Sequence, residues 1–243
     1  MPRRKRREGK KYRFVLIAVI ACSVPILLVL LLLPRNKGER LEHEAPPFAH
    51  SLTDQEASRY FQREIIPILH SGASDPIPNI REIMRSLEAL VREGKVEVGI
   101  ASTYRGDSLA ATHTAPDGRM LWITFSGPRL LDYQSVLRPS DFRDQVILAI
   151  CHETLHLQYD PVFTEGLYRH KLGKQSMDRL RLKGETLVWG LTVQRVIRPM
   201  LRAKRSVPPE EAEVSQVFEK FGDNPKDPDW TQWVKDHRFA ASR

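Results

Sequence analysis

The feature that most constrains this chain is the sequence H-E-T-L-H at residues 152–156, which follows six residues without a charge, 146–151. The stretch is predicted to be an α-helix, in which residues four apart lie on one face. His152 and His156 can therefore point at one metal ion, and Glu153 lies beside the first of them. A catalytic zinc binds neutral imidazole nitrogen and keeps one position open for water. The pattern thus predicts two zinc ligands and a general base on one helical turn.

The alternative is an ordinary amphipathic helix with two histidines on its surface. The apolar flanks argue against it, since Leu155 and Leu157 continue the run that precedes the motif. Unpaired polar side chains on a largely buried helix cost free energy, so these side chains need partners. We predict that the helix ends near Tyr159 or Asp160, because Pro161 disfavours helix in the residue before it.

The net charge of +8 is concentrated at the N-terminus. Residues 1–13 contain eight basic residues and one acidic residue, which leaves a charge of only +1 for the other 230 residues. A nucleic-acid-binding protein carries its basic residues as a patch on the folded body. The distribution therefore argues against nucleic acid as a partner.

Twenty residues without a charge, 14–33, follow this basic tail. A helix needs about 20 apolar residues to cross a bilayer. Eight basic residues precede the segment and only three follow it closely, so the positive-inside rule predicts a cytoplasmic N-terminus and an extracytoplasmic remainder. We therefore predict a single-pass membrane protein, anchored in the lipid bilayer, with four parts. These are a basic cytoplasmic tail (1–13), a transmembrane helix (14–33), a tether (34–51) and a globular domain (52–243).

Two other interpretations of the apolar segment fit less well. A cleaved signal peptide has a shorter apolar core and a cleavage site of small residues, whereas this run ends at Pro34 and Arg35. A lipoprotein turns polar after its modified cysteine, but Cys22 is followed by an almost entirely apolar run to Leu33. The other cysteine, Cys151, projects about 100° away from the neighbouring ligand, so we interpret it as a small buried hydrophobe.

The globular domain is predicted to be α+β, with helices in the majority. Helices are expected over Leu52–Leu69, Ile80–Arg92, Gln175–Arg198 and Pro208–Phe221, with a short one around Trp230 and Trp233. Alternating segments at 96–100, 108–114 and 119–126 predict strands, and Pro116-Asp117-Gly118 predicts a hairpin turn between the last two. We therefore expect a small antiparallel sheet of about three strands before the motif helix.

A catalytic zinc usually has three protein ligands, so a third ligand must come from elsewhere. The metzincin pattern is excluded, because Val162 stands where its third ligand would be and Tyr159 where it needs a glycine. The remaining candidates are Asp160, Glu165, His170 and Glu185.

Glu185 is the strongest of these candidates. It shares an apolar helical face with Val188 and Trp189, where a carboxylate is costly unless it meets a cation. The competing interpretation is a glutamate paired with an arginine such as Arg181.

At this point the sequence resembles the gluzincin type of zinc metallopeptidase, in which an H-E-x-x-H helix is followed by a helix that contributes a glutamate ligand. The resemblance covers about residues 120–200 and indicates no particular family within the group. It implies a zincin-like fold, a Zn²⁺ cofactor held by His152, His156 and Glu185, and Glu153 as the catalytic base acting on a zinc-bound water. It also implies a peptide or protein substrate, aligned by an edge strand at Met120–Phe125.

An oxyanion stabiliser is also needed, and Tyr168 and His170 are candidates between the two ligand helices. The simpler interpretation is that both are ordinary loop residues. The alternative function is a membrane-tethered binding module with a structural or vestigial metal site. Glu153 argues for the enzyme, since a structural zinc needs no base and usually has four protein ligands.

Overall fold

The computed structural model describes residues 52–103, 108–114, 120–167 and 172–239, which belong to one packed unit. This unit is mostly helical and contains a small three-stranded mixed sheet. The predicted cytoplasmic tail, transmembrane helix and tether lie outside the described residues. Within the described ranges, no helix is both long and apolar enough to cross a bilayer.

The helices and strands are labelled in chain order. The first half contains α1 (Asp54–Tyr60), α2 (Ile66–Gly72), α3 (Pro78–Arg92), β1 (Val96–Ala101), β2 (Ala110–Thr114), β3 (Leu121–Ser126) and α4 (Gly127–Val136). The second half contains α5 (Pro139–Tyr159), α6 (Pro161–Thr164), α7 (Lys174–Thr192), α8 (Arg198–Arg202), α9 (Pro209–Lys220) and α10 (Pro228–Val234). Three π-helical segments, Phe61–Ile65, Val193–Ile197 and Lys235–Phe239, continue α1, α7 and α10.

Two of these π-helical segments lie just before a proline. Pro67 comes two residues after the end of the first and Pro199 two residues after the end of the second, so the residue four before each proline belongs to the π segment. A wider turn makes room for a ring that would otherwise clash, and the proline has no N–H to donate. The prediction that the helix from Gln175 ends before Pro199 is therefore wrong, because the helical run continues to Arg202.

The sheet differs from the prediction in one of its two pairings. β2 and β3 pair antiparallel, as expected, while the predicted turn Pro116-Asp117-Gly118 lies outside the described residues. β1 pairs with β3 in parallel, so the strand order is β1-β3-β2 and the sheet is mixed. Two successive reversals of the chain leave β1 and β3 pointing the same way, and the apolar β3 takes the central place. Alternating hydrophobicity predicts that a strand exists, but it does not determine which neighbour the strand pairs with.

The strand β3 lies in the centre of the three-stranded sheet, with β1 on one side and β2 on the other. The resemblance implied an edge strand at Met120–Phe125, yet Ile123 and Phe125 are fully buried between two neighbouring strands. The edge strand beside the motif helix is β2. The expectation of an edge strand at Met120–Phe125 is therefore wrong, and Ala110–Thr114 forms the edge of the sheet on this side.

The motif helix α5 runs through the centre of the domain. It ends at Tyr159, as predicted, and 12 of its 21 residues are buried. It packs against α3, α7 and β2. Its apolar side chains join those of the other elements in one core, whose largest fully buried members are Trp230, Phe125, Phe218, Ile65, Ile80, Ile83, Met84, Ile123, Leu130, Ile147, Ile150 and Leu155. Cys151 is a buried free thiol in this core, and burial raises its pKa.

The second helix of the site, α7, is fixed by the C-terminal part of the chain. The indole nitrogen of Trp230 donates a hydrogen bond to the main-chain carbonyl of Thr186, at 3.1 Å. Gly190 lies so close to Pro225 that an added Cβ would stand 2.6 Å from the Cβ of that proline. The residues of α7 at Thr186 and Gly190 are therefore covered by a segment of the chain that lies 44 and 35 residues further on.

Candidate metal centre

Three side chains from α5 and α7 converge at one point. The Nε2 atoms of His152 and His156 are 3.3 Å apart, and Nε2 of His156 is 3.6 Å from Oε1 of Glu185. Each of the three residues offers one ligand atom, and these atoms all lie within 4.8 Å of one another. No other group of this kind occurs among the described residues.

These distances can be compared with the geometry of zinc. Ligand atoms about 2.0–2.1 Å from a tetrahedral ion are about 3.3–3.4 Å apart. Two of the observed separations, 3.3 Å and 3.6 Å, fall near that value. Two imidazoles and one carboxylate also make the donor set of many catalytic zinc sites. The residues present thus fit a zinc ion that retains an open coordination position.

Hydrogen bonds on the far side of each imidazole fix its tautomer. The hydroxyl of Thr192 donates to the carbonyl of Val188, so it accepts from Nδ1–H of His152 at 2.9 Å. The carboxylate of Asp160 accepts from Nδ1–H of His156 at 3.0 Å. Metal-binding histidines almost always have such a partner, which orients the ring and leaves Nε2 as the free donor.

The two imidazoles face each other through their Nε2 atoms. If both Nδ1 atoms carry their proton, two Nε2 lone pairs face each other at 3.3 Å. A metal ion or a single proton removes that repulsion. Burial by itself lowers the pKa of His156, but the carboxylates of Glu185, Asp160 and Glu153 outweigh it and raise the pKa to about 9. Burial, together with His156 and Arg238, lowers the pKa of His152.

The proposed base, Glu153, is buried at the junction of α5 and β2, with 8% of its surface exposed. Burial raises the pKa of its carboxyl group to about 7, against the opposing effects of His156 and of hydrogen bonds from Thr112. The hydroxyl of Thr112, on the edge strand, also donates to the main-chain carbonyl of Glu153 at 3.3 Å. A carboxylate with a pKa near neutrality can both accept and release a proton at neutral pH.

The other candidate residues have different positions. Asp160 is buried but lies behind His156, where its second oxygen accepts the main-chain N–H of Val162 at 2.8 Å and caps α6. Glu165 is exposed at the end of α6 and does not belong to the cluster. Tyr168 and His170 lie outside the described residues.

The alternative partner for Glu185 was an arginine. Arg181 is exposed, and among the described residues the ion pair of Glu185 is with His156. The residue before it, Gly184, allows α7 to approach α5, since a Cβ there would overlap the carboxylate of Asp160. The same close approach brings Glu185 to His156.

Two aromatic rings flank the imidazoles. The ring of Trp189 lies 4.5 Å from that of His152, and the ring of Phe163 lies 6.3 Å from that of His156 in an edge-on arrangement. The guanidinium of Arg238 lies over Trp189, 4.7 Å from the ring centre. Apolar and aromatic side chains thus limit water around the ligands, which strengthens electrostatic interactions at the site.

Sequence reasoning did not identify Thr192, Thr112 or Arg238 as parts of this site. Thr192 follows Glu185 by two helical turns, so the 3.6-residue period places both on the face that meets α5. No comparable signal exists for Thr112 or Arg238, because their contacts depend on how distant elements pack.

Comparison of the chain with models of known protein families, with curated proteins and with solved structures gave no match.

Proposed function

We propose that this protein is a membrane-anchored zinc metallopeptidase with a zincin-like domain that hydrolyses peptide bonds. The observation that carries the proposal is the convergence of His152, His156 and Glu185 next to Glu153, whose buried carboxyl has a pKa of about 7. A zinc site with a purely structural role would not need a buried acid–base group beside its ligands.

Each residue has a defined role in this proposal. His152, His156 and Glu185 hold the ion, and Thr192 and Asp160 keep the two imidazoles oriented. When bound, zinc supplies Lewis-acid polarisation of the scissile carbonyl and of the attacking water. Glu153 accepts a proton from that water and delivers it to the leaving amine.

The free edge of β2 supports a peptide as the substrate. Within the described residues β2 pairs only with β3, so its other edge has unpaired main-chain groups. An extended peptide adds to such an edge through main-chain hydrogen bonds. Because Thr112 of β2 contacts Glu153, a peptide lying along this edge would pass close to the proposed base.

The anchor and its orientation are supported by the sequence. Residues 14–33 have the length of a bilayer span, and the charge difference across them favours a cytoplasmic N-terminus. The peptidase domain would therefore act on substrates outside the cytoplasm.

The proposal is tested with the full chain purified in detergent, zinc and a mixture of unstructured peptides, with cleavage followed by mass spectrometry. Glu153→Gln should lower the rate of cleavage about 10²–10⁴-fold, because it removes general acid–base catalysis. Glu97→Gln is the matched control, since Glu97 is an exposed carboxylate on β1, and it should keep the parent rate.

Full activity of Glu153→Gln would contradict the assignment of the base. Absence of cleavage by the parent chain with zinc bound would favour the membrane-tethered binding module instead.

A further inference from the structure

The last described segment of the chain reaches the metal centre through one side chain, Arg238. Its guanidinium lies over the ring of Trp189, 4.7 Å from the centre, in the geometry of a cation–π contact. The ring of Trp189 in turn lies 4.5 Å from that of His152, at an angle of 45°. Arg238 and His152 are thus linked through a single indole, although 86 residues separate them in the sequence.

His152 is the less constrained of the two imidazoles. His156 is 5% exposed and donates to the carboxylate of Asp160, which is itself held by the N-terminus of α6. His152 is half-buried, and Nδ1 meets only the hydroxyl of Thr192. A hydrogen bond to a neutral hydroxyl holds this ring less firmly than the bond to a carboxylate holds His156. The contact with Trp189 restricts that rotation.

Trp189 needs support of its own to perform this role. It is half-buried, so part of its indole is not covered by the core. Arg238 supplies that cover, and its guanidinium is fixed by two groups of α9. These are the carboxylate of Glu211, 3.8 Å away, and the main-chain carbonyl of Glu210, to which it donates at 3.2 Å.

The positive charge of Arg238 cannot stabilise a bound metal ion directly. A cation near the ligands repels a divalent ion, so a purely electrostatic role would make metal binding weaker when Arg238 is present. A positioning role predicts the opposite effect on metal affinity. Loss of Arg238 would then weaken metal binding, because Trp189 and in turn His152 would be held less firmly. The two roles can therefore be separated by measuring metal affinity.

We propose that Arg238 is a positioning residue of the metal centre, which acts through Trp189 to hold the imidazole of His152 in the orientation needed to bind the ion. The inference rests on the proposed metal centre. It makes the C-terminal segment, Pro228–Phe239, part of the functional site as well as of the fold.

The experiment uses the full chain in detergent loaded with cobalt(II), whose visible absorption depends on coordination geometry, whereas zinc has a filled d shell. Arg238→Gln should weaken cobalt binding about 10-fold or more, as loss of an outer partner of a ligand does. It should also change the visible spectrum. Arg238→Lys keeps the cation and should retain most of the parent affinity and spectrum.

Three further variants keep the test independent of folding. Trp189→Leu should produce the same spectral change as Arg238→Gln, and the double variant should add little, because both act through one contact. The matched control is Arg198→Gln, which breaks a comparable set of contacts to Asp223 and Ser215 away from the ligands. It should lower the melting temperature and leave the spectrum unchanged.

The proposal is overturned if Arg238→Gln binds cobalt as tightly as the parent, or more tightly, with the parent spectrum. Equal spectral changes in Arg238→Gln and Arg198→Gln would show a general effect of stability and would also overturn it. If the parent chain binds no cobalt and no zinc, the proposed metal centre itself fails, and this inference fails with it.

Discussion

The two proposed imidazole ligands have different surroundings at the scale of single residues. His156 is held by a charged acceptor, Asp160, whereas His152 is held by a neutral one, the hydroxyl of Thr192. Carboxylate–histidine pairs raise the basicity of the ring more than a hydroxyl does. The direction of the hydrogen bond is nevertheless fixed. The hydroxyl of Thr192 donates its proton to the carbonyl of Val188, so it can only accept a hydrogen bond from His152.

This assignment predicts the effect of replacing Thr192 by valine. The substitution keeps the shape of the side chain and removes the acceptor for Nδ1–H, so the affinity for zinc should fall about 10–100-fold. Thr186→Val is the matched control on the same helix, because the hydroxyl of Thr186 makes the same kind of bond to Leu182 without touching a ligand. Zinc affinity measured by competition with a chelator distinguishes the two, and equal affinities would contradict the role of Thr192.

At the scale of helices and strands, the sequence predicted elements better than it predicted their pairing. The helix α5 and the antiparallel pairing of β2 and β3 follow from local patterns, namely an apolar run bounded by prolines and a Pro-Asp-Gly sequence between two alternating segments. The parallel partner of β1 and the continuation of the helix through Pro199 depend on packing between distant elements. Local periodicity contains little information about either.

A buried ion-pair network joins three of these elements. The guanidinium of Arg205, after α8, bonds to Asp144 in α5 and to Asp75, after α2, while the fully buried Asp75 also accepts the N–H of Ile77. The network fixes the N-terminal half of the helix whose last turns carry the motif.

Arg205→Gln should lower the free energy of unfolding by about 3–5 kcal/mol, because it leaves the buried Asp144 without its cation and Asp75 with only the more distant Arg143, at 3.8 Å. Arg198→Gln removes an arginine whose partner Asp223 is 40% exposed, so its cost should be about 1 kcal/mol or less. Chemical denaturation of the full chain in detergent measures both. A similar small loss for the two variants would show that the Arg205 network contributes little to stability.

At the scale of the whole molecule, the proposed function combines a site with an anchor. Helical spacing identified the H-E-T-L-H pattern in the sequence. It also identified Glu185, which clusters with the two histidines of the pattern. The outer contacts came only from the fold, since Thr112 and Arg238 reach the site from a strand and from the C-terminal segment. Sequence reasoning thus identified the three clustered side chains that we propose as ligands and missed most of the groups that contact them.

The orientation of the molecule across the membrane is a separate prediction. A reporter enzyme that is active only outside the cytoplasm, fused after Arg243, should be active, because the eight basic residues of the tail favour a cytoplasmic N-terminus. The same fusion with a reporter that is active only in the cytoplasm should be silent. Activity of the cytoplasmic reporter would reverse the predicted topology.

The central claim is that Glu185 binds the ion and Glu153 does not. The most direct test is the zinc content and zinc affinity of the full chain in detergent, compared with those of Glu185→Gln and Glu153→Gln. The parent should bind about one zinc ion. Glu185→Gln should bind it more weakly and lose thermal stability, since metal binding contributes to folding, whereas Glu153→Gln should retain both. If Glu185→Gln binds zinc as tightly as the parent, the account of this site is wrong.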